Sequence, residues 1–172
     1  MTVTSVPNPF PGELVVRRIA GPEEFHLCLQ VRVQVFVTEQ GFPLAIENDA
    51  IDQTCQHIIA LWRPRAEEEC QPTEVMWEPS ASTTVPGTPP PPRVGKIGRV
   101  AVLQKYRGLR IGQRLMEEAH RVAQTSLGMR KIKIHSQYDK ADFYLRIGYD
   151  MPDPTQFMEE GYPHVTVVKN LG

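Results

Sequence analysis

Between Val94 and Leu127 the chain reads VGKIGRVAVLQKYRGLRIGQRLMEEAHRVAQTSL, and this stretch sharply limits the folds open to it. Ile97, Arg99 and Ala101 alternate with Gly98, Val100 and Val102 in a run rich in β-branched residues, which predicts a strand ending at Gln104-Lys105-Tyr106. The next six residues, Arg107 to Gly112, hold two glycines and two arginines. A helix follows, with apolar residues at Leu115, Met116, Ala119, Val122 and Ala123. Strand, Gly-rich turn and amphipathic helix together suit a phosphate. Free backbone N–H groups and the positive end of the helix dipole point at the anion, and glycine lets the main chain come close.

The flanking sequence supplies further elements. Glu13 to Ala20 reads as a first strand. Gly21-Pro22-Glu23-Glu24 starts a helix, with proline in the first turn and acids near its positive end, running to about Val37. The valines of VRVQVFV also suit a strand, and the strength of the N-terminal signal decides for helix. Gln56 to Trp62 is apolar almost throughout, as a buried strand is. Between Arg63 and Arg93 lie eight of the sixteen prolines, so a Pro-rich surface insert is expected at about 79–93, with a short, distorted strand at Glu74 to Glu78 ahead of it. Gly128 stops the central helix and RKIKIH, Arg130 to His135, alternates as a strand. A helix then carries Phe143 to Ile147 and stops at Gly148. Short strands are expected at Tyr149 to Met151 and in the tail through Val168.

Two nucleotide-binding patterns are absent. Gly112 is followed by Gln113 and Arg114, not by the Lys-Ser/Thr of a Walker loop, and there is no GxGxxG. The remaining pattern, YRGxxxG after RVAV, resembles the acetyl-CoA pyrophosphate loop of the GNAT superfamily of N-acetyltransferases, [Q/R]-x-x-G-x-[G/A], with Arg110 replacing the central glycine. Arg32, Phe36, Glu39 and Gln40 stand where the ElaA-like and YjcF-like branch has Arg-x-x-x-Phe-x-x-Glu-Gln before an acidic loop. HSQxxxxxFYxxxGY and EEGYPHVxV resemble that branch's HAQxxxxxFYxxxGF and EEGIPHI. Together these matches run from about Gln30 to Val168.

The resemblance implies a single α/β domain, residues 13–172 behind a flexible arm at 1–12. Its mixed, mostly antiparallel central sheet is splayed at the cofactor strand, with helices on both faces. It further implies acetyl-CoA as cosubstrate, held by Val100, Ala101, Val102, Arg107, Gly108, Leu109, Arg110, Ile111 and Gly112. The N–H of Val102 is then placed to polarise the thioester carbonyl. Tyr144 stands at the family's general acid. Its phenol has an ordinary pKa near 10, above about 8.5 for a thiol, and so stays protonated at neutral pH. Glu39 is the first choice of base, ahead of His135 and His164. Arg32, Gln40, Asp49, Asp52, His135 and His164 are expected around the acceptor, and the acids among them favour a cationic amine. His57, at the start of its strand, is more often structural in such a place.

Composition sets the remaining bounds. The 172 residues, 41% hydrophobic, suit one core, and nineteen basic against twenty acidic residues argue against a nucleic-acid partner. Cys28, Cys55 and Cys70 are odd in number and lack zinc spacing, so no metal is expected and the thiols read as reduced, in a cytoplasmic protein. No apolar run approaches a membrane span. A small-molecule primary amine is the expected partner, with a homodimer left open. An amino-sugar acetyltransferase of the glucosamine-6-phosphate type, a catalytically silent acyl-CoA-binding module, and an interaction domain using the Pro-rich loop are the alternative readings.

Overall fold

A computed structural model describes residues 12–47, 50–63, 72–79 and 93–172, with the backbone alone for residues 50, 63 and 72–79. Most of the expected arm and of the Pro-rich insert, with Asp49 and Cys70, lies outside the described residues. Strands β1 (Glu13–Arg18), β2 (Gln56–Arg63), β3 (Pro72–Pro79), β4 (Val94–Ala101), β5 (Lys131–Gln137), β6 (Asp150–Glu159) and β7 (Tyr162–Asn170) form one seven-stranded sheet in the order β1-β2-β3-β4-β5-β7-β6. Every pairing is antiparallel except that of β4 with β5. β3 is longer than expected and pairs along both edges. β6 also outruns its expected three residues. Its two prolines are tolerated because it is the sheet's edge, where missing N–H donors break no second ladder.

Helices α1 (Pro22–Arg32), α2 (Ile111–Leu127) and α3 (Ala141–Arg146) complete the fold. The main core lies under α2, whose Ile111, Leu115, Met116, Ala119, Val122 and Ala123 are buried with Ile97, Ile132, Ile134 and Val167 of the sheet. Leu115 and Met116 are fully enclosed, so truncating Leu115 to alanine costs about 2–5 kcal/mol. On the other face α1 buries Cys28 against Ile59 and Leu61, and Val31 with Val35 against Ala101.

Local chemistry fixes the helix ends. Pro22 opens α1, and the Glu24 carboxylate accepts the Ala20 N–H at 2.7 Å and pairs with Arg17. α1 does not continue to Val37 as an α-helix. From Val33 to Glu39 the chain winds as a π-helix. Val33, Val35 and Val37 carry branched Cβ atoms that crowd a tight α turn, and the wider winding relieves them.

Candidate active site

β4 and β5 stay paired only through Val94–Lys131, Gly95–Ile132 and Lys96–Lys133. Beyond that point β5 follows β7 as far as Gln137 opposite His164, while β4 follows β3 to Ala101 opposite Glu74. The strands therefore part in a V, and a cleft of about 1440 Å³ opens there.

β4 is also kinked at the V. Four residues of β4, Gly98 to Ala101, face three of β3, Met76 to Glu74, and Arg99 within the bulge has φ 50°. An extra residue reverses the parity of everything after it. Ile97, Val100 and Val102 all turn towards the α2 core, whereas Ala101 packs on the α1 side. The unbroken alternation expected from the sequence fails at Arg99 for this reason.

One end of the cleft is the Gly-rich turn. Gly108 and Arg110 are left-handed, with φ 80° and 59°, and α2 starts immediately after them. Its first turn contains no acidic residue, and Arg110 at the cap makes no side-chain capping bond. Arg114 donates back to the Arg110 carbonyl at 3.1 Å. The amides of Ile111, Gly112 and Gln113 ahead of it have no carbonyl one turn back within the helix. Nε of Arg107 donates to the Val102 carbonyl at 2.9 Å, and Nη2 meets Glu39 Oε2 at 2.5 Å. A Cβ on Gly112 would sit 3.3 Å from the Phe143 ring and 3.7 Å from Val102. Gly112 thus makes room for packing beneath the turn.

Tyr144 of α3 lines the cleft yet is only 8% exposed, edge-on to Phe143 and Tyr149 at 5.0 and 5.7 Å between centroids. Burial pushes its phenol well above the ordinary tyrosine value, so it is a neutral O–H donor at neutral pH.

The other end is built by β5, β7 and the β6–β7 hairpin. The hairpin turns on Glu160 and Gly161, with φ 51° and 80°, the left-handed pair of a tight two-residue turn. It sets Phe157 opposite His164 and Glu159 opposite Tyr162. Glu159 Oε2 then lies 2.9 Å from Nδ1 of His135. His164 donates from Nδ1 to the Tyr162 carbonyl at 2.9 Å. Gln137 Nε2 donates to Gln40 Oε1 at 2.9 Å, and the Tyr162 hydroxyl to the Gln40 carbonyl at 3.1 Å. The end of the π-helical segment is thus strapped to β5 and β7 across the mouth of the V.

An Acetyltransferase (GNAT) domain model matches residues 66–150. A candidate acetyltransferase of Bacillus subtilis (strain 168) is 29% identical over 157 residues, 90% of this chain and 95% of that protein. The uncharacterized N-acetyltransferase YjcF of the same organism is 24% identical over 148 residues, covering 86% and 94%. Among solved structures, a candidate N-acetyltransferase from Lactobacillus plantarum superposes with a TM-score of 0.74 at 26% identity, over 94% of this chain and 99% of that one. The chain carries a GNAT acetyltransferase domain. The fold is shared with Escherichia coli ElaA, TM-score 0.70 at 21% identity over 92% and 99% of the two chains. It is shared as well with an aminoglycoside 6′-N-acetyltransferase complexed with coenzyme A, TM-score 0.62 at 11% identity over 91% and 97%.

Within this GNAT domain the residues expected at the site divide. Val100, Val102, Arg107, Gly108, Arg110, Ile111, Gly112, Tyr144, Glu39, Gln40, His135 and His164 line the cleft, whereas Ala101 and Leu109 pack away from it. Arg32 and Asp52 require correction, because they face each other and not the cleft. The Arg32 guanidinium is fully buried, with Nη1 at 2.7 Å from Asp52 Oδ1, Nε at 3.3 Å from Glu47 Oε2, and Nη2 on the Glu47 carbonyl. Burial raises the Glu47 pKa and Arg32 opposes the rise. Arg99 joins the cluster from the bulge, with Nη2 on the Ile46 carbonyl at 2.9 Å and Nη1 at 3.4 Å from Asp52. The cluster pins the segment after the π-helix to α1 and β4. His57 belongs with it, its Nε2 3.0 Å from the Asp52 carbonyl.

Sequence reasoning missed Arg99, Gln137, Glu159 and Tyr162 as parts of the site. Gln137 and Glu159 stood in the quoted HSQ and EEGYPH segments, but only the fold reveals that these segments meet. Among the described residues no group of His, Cys, Asp or Glu is arranged to hold a metal ion, and no helix is long and apolar enough to cross a membrane.

Proposed function

We propose that the cleft binds acetyl-CoA and transfers the acetyl group directly to a primary amine of a small molecule, both substrates being bound at once. The observation that carries this reading is the parting of β4 from β5 after Lys96 and Lys133. It frees one main-chain edge of β4 beside the cleft, for an extended pantetheine-like arm to pair with. The turn and helix start fit a diphosphate: left-handed Gly108 and Arg110, no acid in the first turn, and the turn's own Arg107 and Arg110 on the lining. Acetyl-CoA supplies the activated acyl group as a thioester.

The chain's own residues supply the rest. The Val102 N–H polarises the acyl carbonyl, and Tyr144, kept neutral by burial, gives a proton to the departing thiolate. Glu39, Glu159 and Glu160 all line the cleft and favour a cationic acceptor. Thiol release from acetyl-CoA across a panel of alkylamines, polyamines and amino sugars, alongside calorimetric titration with acetyl-CoA, tests the proposal. Binding with amine-dependent release supports it, and absence of binding removes it.

A further inference from the structure

Removing a proton from the acceptor amine calls for a base that is held in place with a lone pair open to the substrate. Glu39, His135 and His164 of the cleft lining have suitable chemistry, and their partners separate them. The Glu39 carboxylate already faces the Arg107 guanidinium at 2.5 Å. His164 is anchored through Nδ1 to a carbonyl, which fixes the ring but offers an imidazolium only a neutral dipole. His135 is anchored through Nδ1 to a carboxylate, Glu159. That arrangement orients the ring, leaves Nε2 for the substrate, and places a negative charge where the positive one will appear.

We infer that His135 is the general base of this acetyltransferase and that Glu159 is its positioning residue; the inference rests on the amine-acetylation reading above. Neighbouring elements hold the pair in place. β5 sets His135 opposite Thr166 of β7, and the hairpin turn carries Glu159 back over it. The Phe157 ring stands edge-on to the imidazole at 4.9 Å and reaches His164 at 6.1 Å. The charged groups facing His135 are Glu159 from β6, Lys96 from β4 and Lys133 from β5. Burial lowers the His135 pKa below its ordinary 6.5, Glu159 opposes the fall, and the two lysines add to it. The ring is therefore neutral at neutral pH, with Nδ1–H on Glu159 and a lone pair on Nε2.

The reaction balances on these groups. The ammonium gives one proton to His135 Nε2, and the freed nitrogen lone pair forms the bond to the acyl carbon. The carbon–sulfur bond breaks and the sulfur takes the Tyr144 proton. The second amine proton returns to Tyr144 through water, and His135 gives its proton to solvent.

Two measurements test the pair. Long-range ¹H–¹⁵N spectra of the free protein report each imidazole's tautomer and titration midpoint without any substrate. His135 is expected as the Nδ1–H tautomer with a midpoint below 6.5, moving lower in Glu159→Gln, which removes the opposing charge, and higher in Lys133→Met. The second is kcat/KM against pH with acetyl-CoA and the fastest of n-propylamine, putrescine and glucosamine. Its acid limb is expected to follow those midpoints, and His135→Gln to lose the limb and about 10²-fold in rate. An Nε2–H tautomer, or an acid limb that ignores all three substitutions, overturns the assignment. If wild-type protein fails to bind acetyl-CoA in calorimetry, the acetyltransferase reading falls and the base with it. Turnover with an unmoved limb overturns the base alone.

Discussion

Nη2 of Arg107 lies 2.5 Å from Oε2 of Glu39, joining the Gly-rich turn to the π-helical segment across 68 positions of sequence. Under the proposed function a cofactor diphosphate at that turn competes with Glu39 for the same guanidinium. Glu39→Gln removes the competitor. The pair is partly exposed, at 46% and 21%, and so contributes no more than about 1 kcal/mol. Calorimetry at low ionic strength is expected to show acetyl-CoA binding up to about fivefold tighter in Glu39→Gln. Weaker binding would mean that Glu39 supports the cofactor site and does not hold Arg107 away from it.

Arg110 caps α2 with φ 59°, a conformation that a residue with a Cβ adopts only at a cost. Arg110→Gly restores the residue most suited to it. Urea unfolding is expected to show stability unchanged or raised by up to about 1 kcal/mol, the relief of strain being partly offset by the greater chain entropy of glycine. Gly108→Ala makes the opposite change at φ 80° and is expected to lose about 1 kcal/mol. A clear loss for Arg110→Gly would show that the guanidinium holds the turn together.

Much of this architecture is legible in sequence because it rests on short-range signals. The strand, Gly-rich turn and helix at Val94 to Leu127, the proline-led start of α1 and the Gly128 stop all follow from periodicity, capping and glycine. What is not legible depends on partners distant in the chain. Arg99 sits in an uninterrupted β-like run, and only the mismatch with β3 turns it into a bulge that reverses the side-chain faces. Arg32 and Asp52 carry the charges expected of a substrate site, but folding brings them together and buries both. The His135–Glu159 pair depends on the β6–β7 hairpin, and the sequence showed only a short strand where β6 runs from Asp150 to Glu159.

The Arg32 cluster gives a prediction that separates structure from recognition. Asp52→Asn takes from a fully buried guanidinium a carboxylate that lies 2.7 Å away. Loss of one partner of such a pair costs about 3–5 kcal/mol, which urea unfolding will register. If Asp52 instead contacted the acceptor, stability would hold and KM for the amine would rise.

Tyr144→Phe keeps the ring contacts with Phe143 and Tyr149 and removes only the hydroxyl. Turnover is expected to fall by about 10²-fold with acetyl-CoA affinity unchanged. The pH profile carries a second expectation. Because burial raises the phenol above its ordinary value, ionisation of Tyr144 causes no loss of wild-type activity up to pH 10. Equal turnover of the two proteins would make Tyr144 a packing residue.

The claim on which all of this rests is that a cleft between parted strands acetylates an amine. Mass spectrometry of an amine panel incubated with wild-type protein and acetyl-CoA tests it most directly. An N-acetylated product is expected, formed in equal amount to the free thiol released and absent without protein. Saturating acetyl-CoA binding with no acetylated amine anywhere in the panel, and thiol release no faster than in buffer, would contradict it.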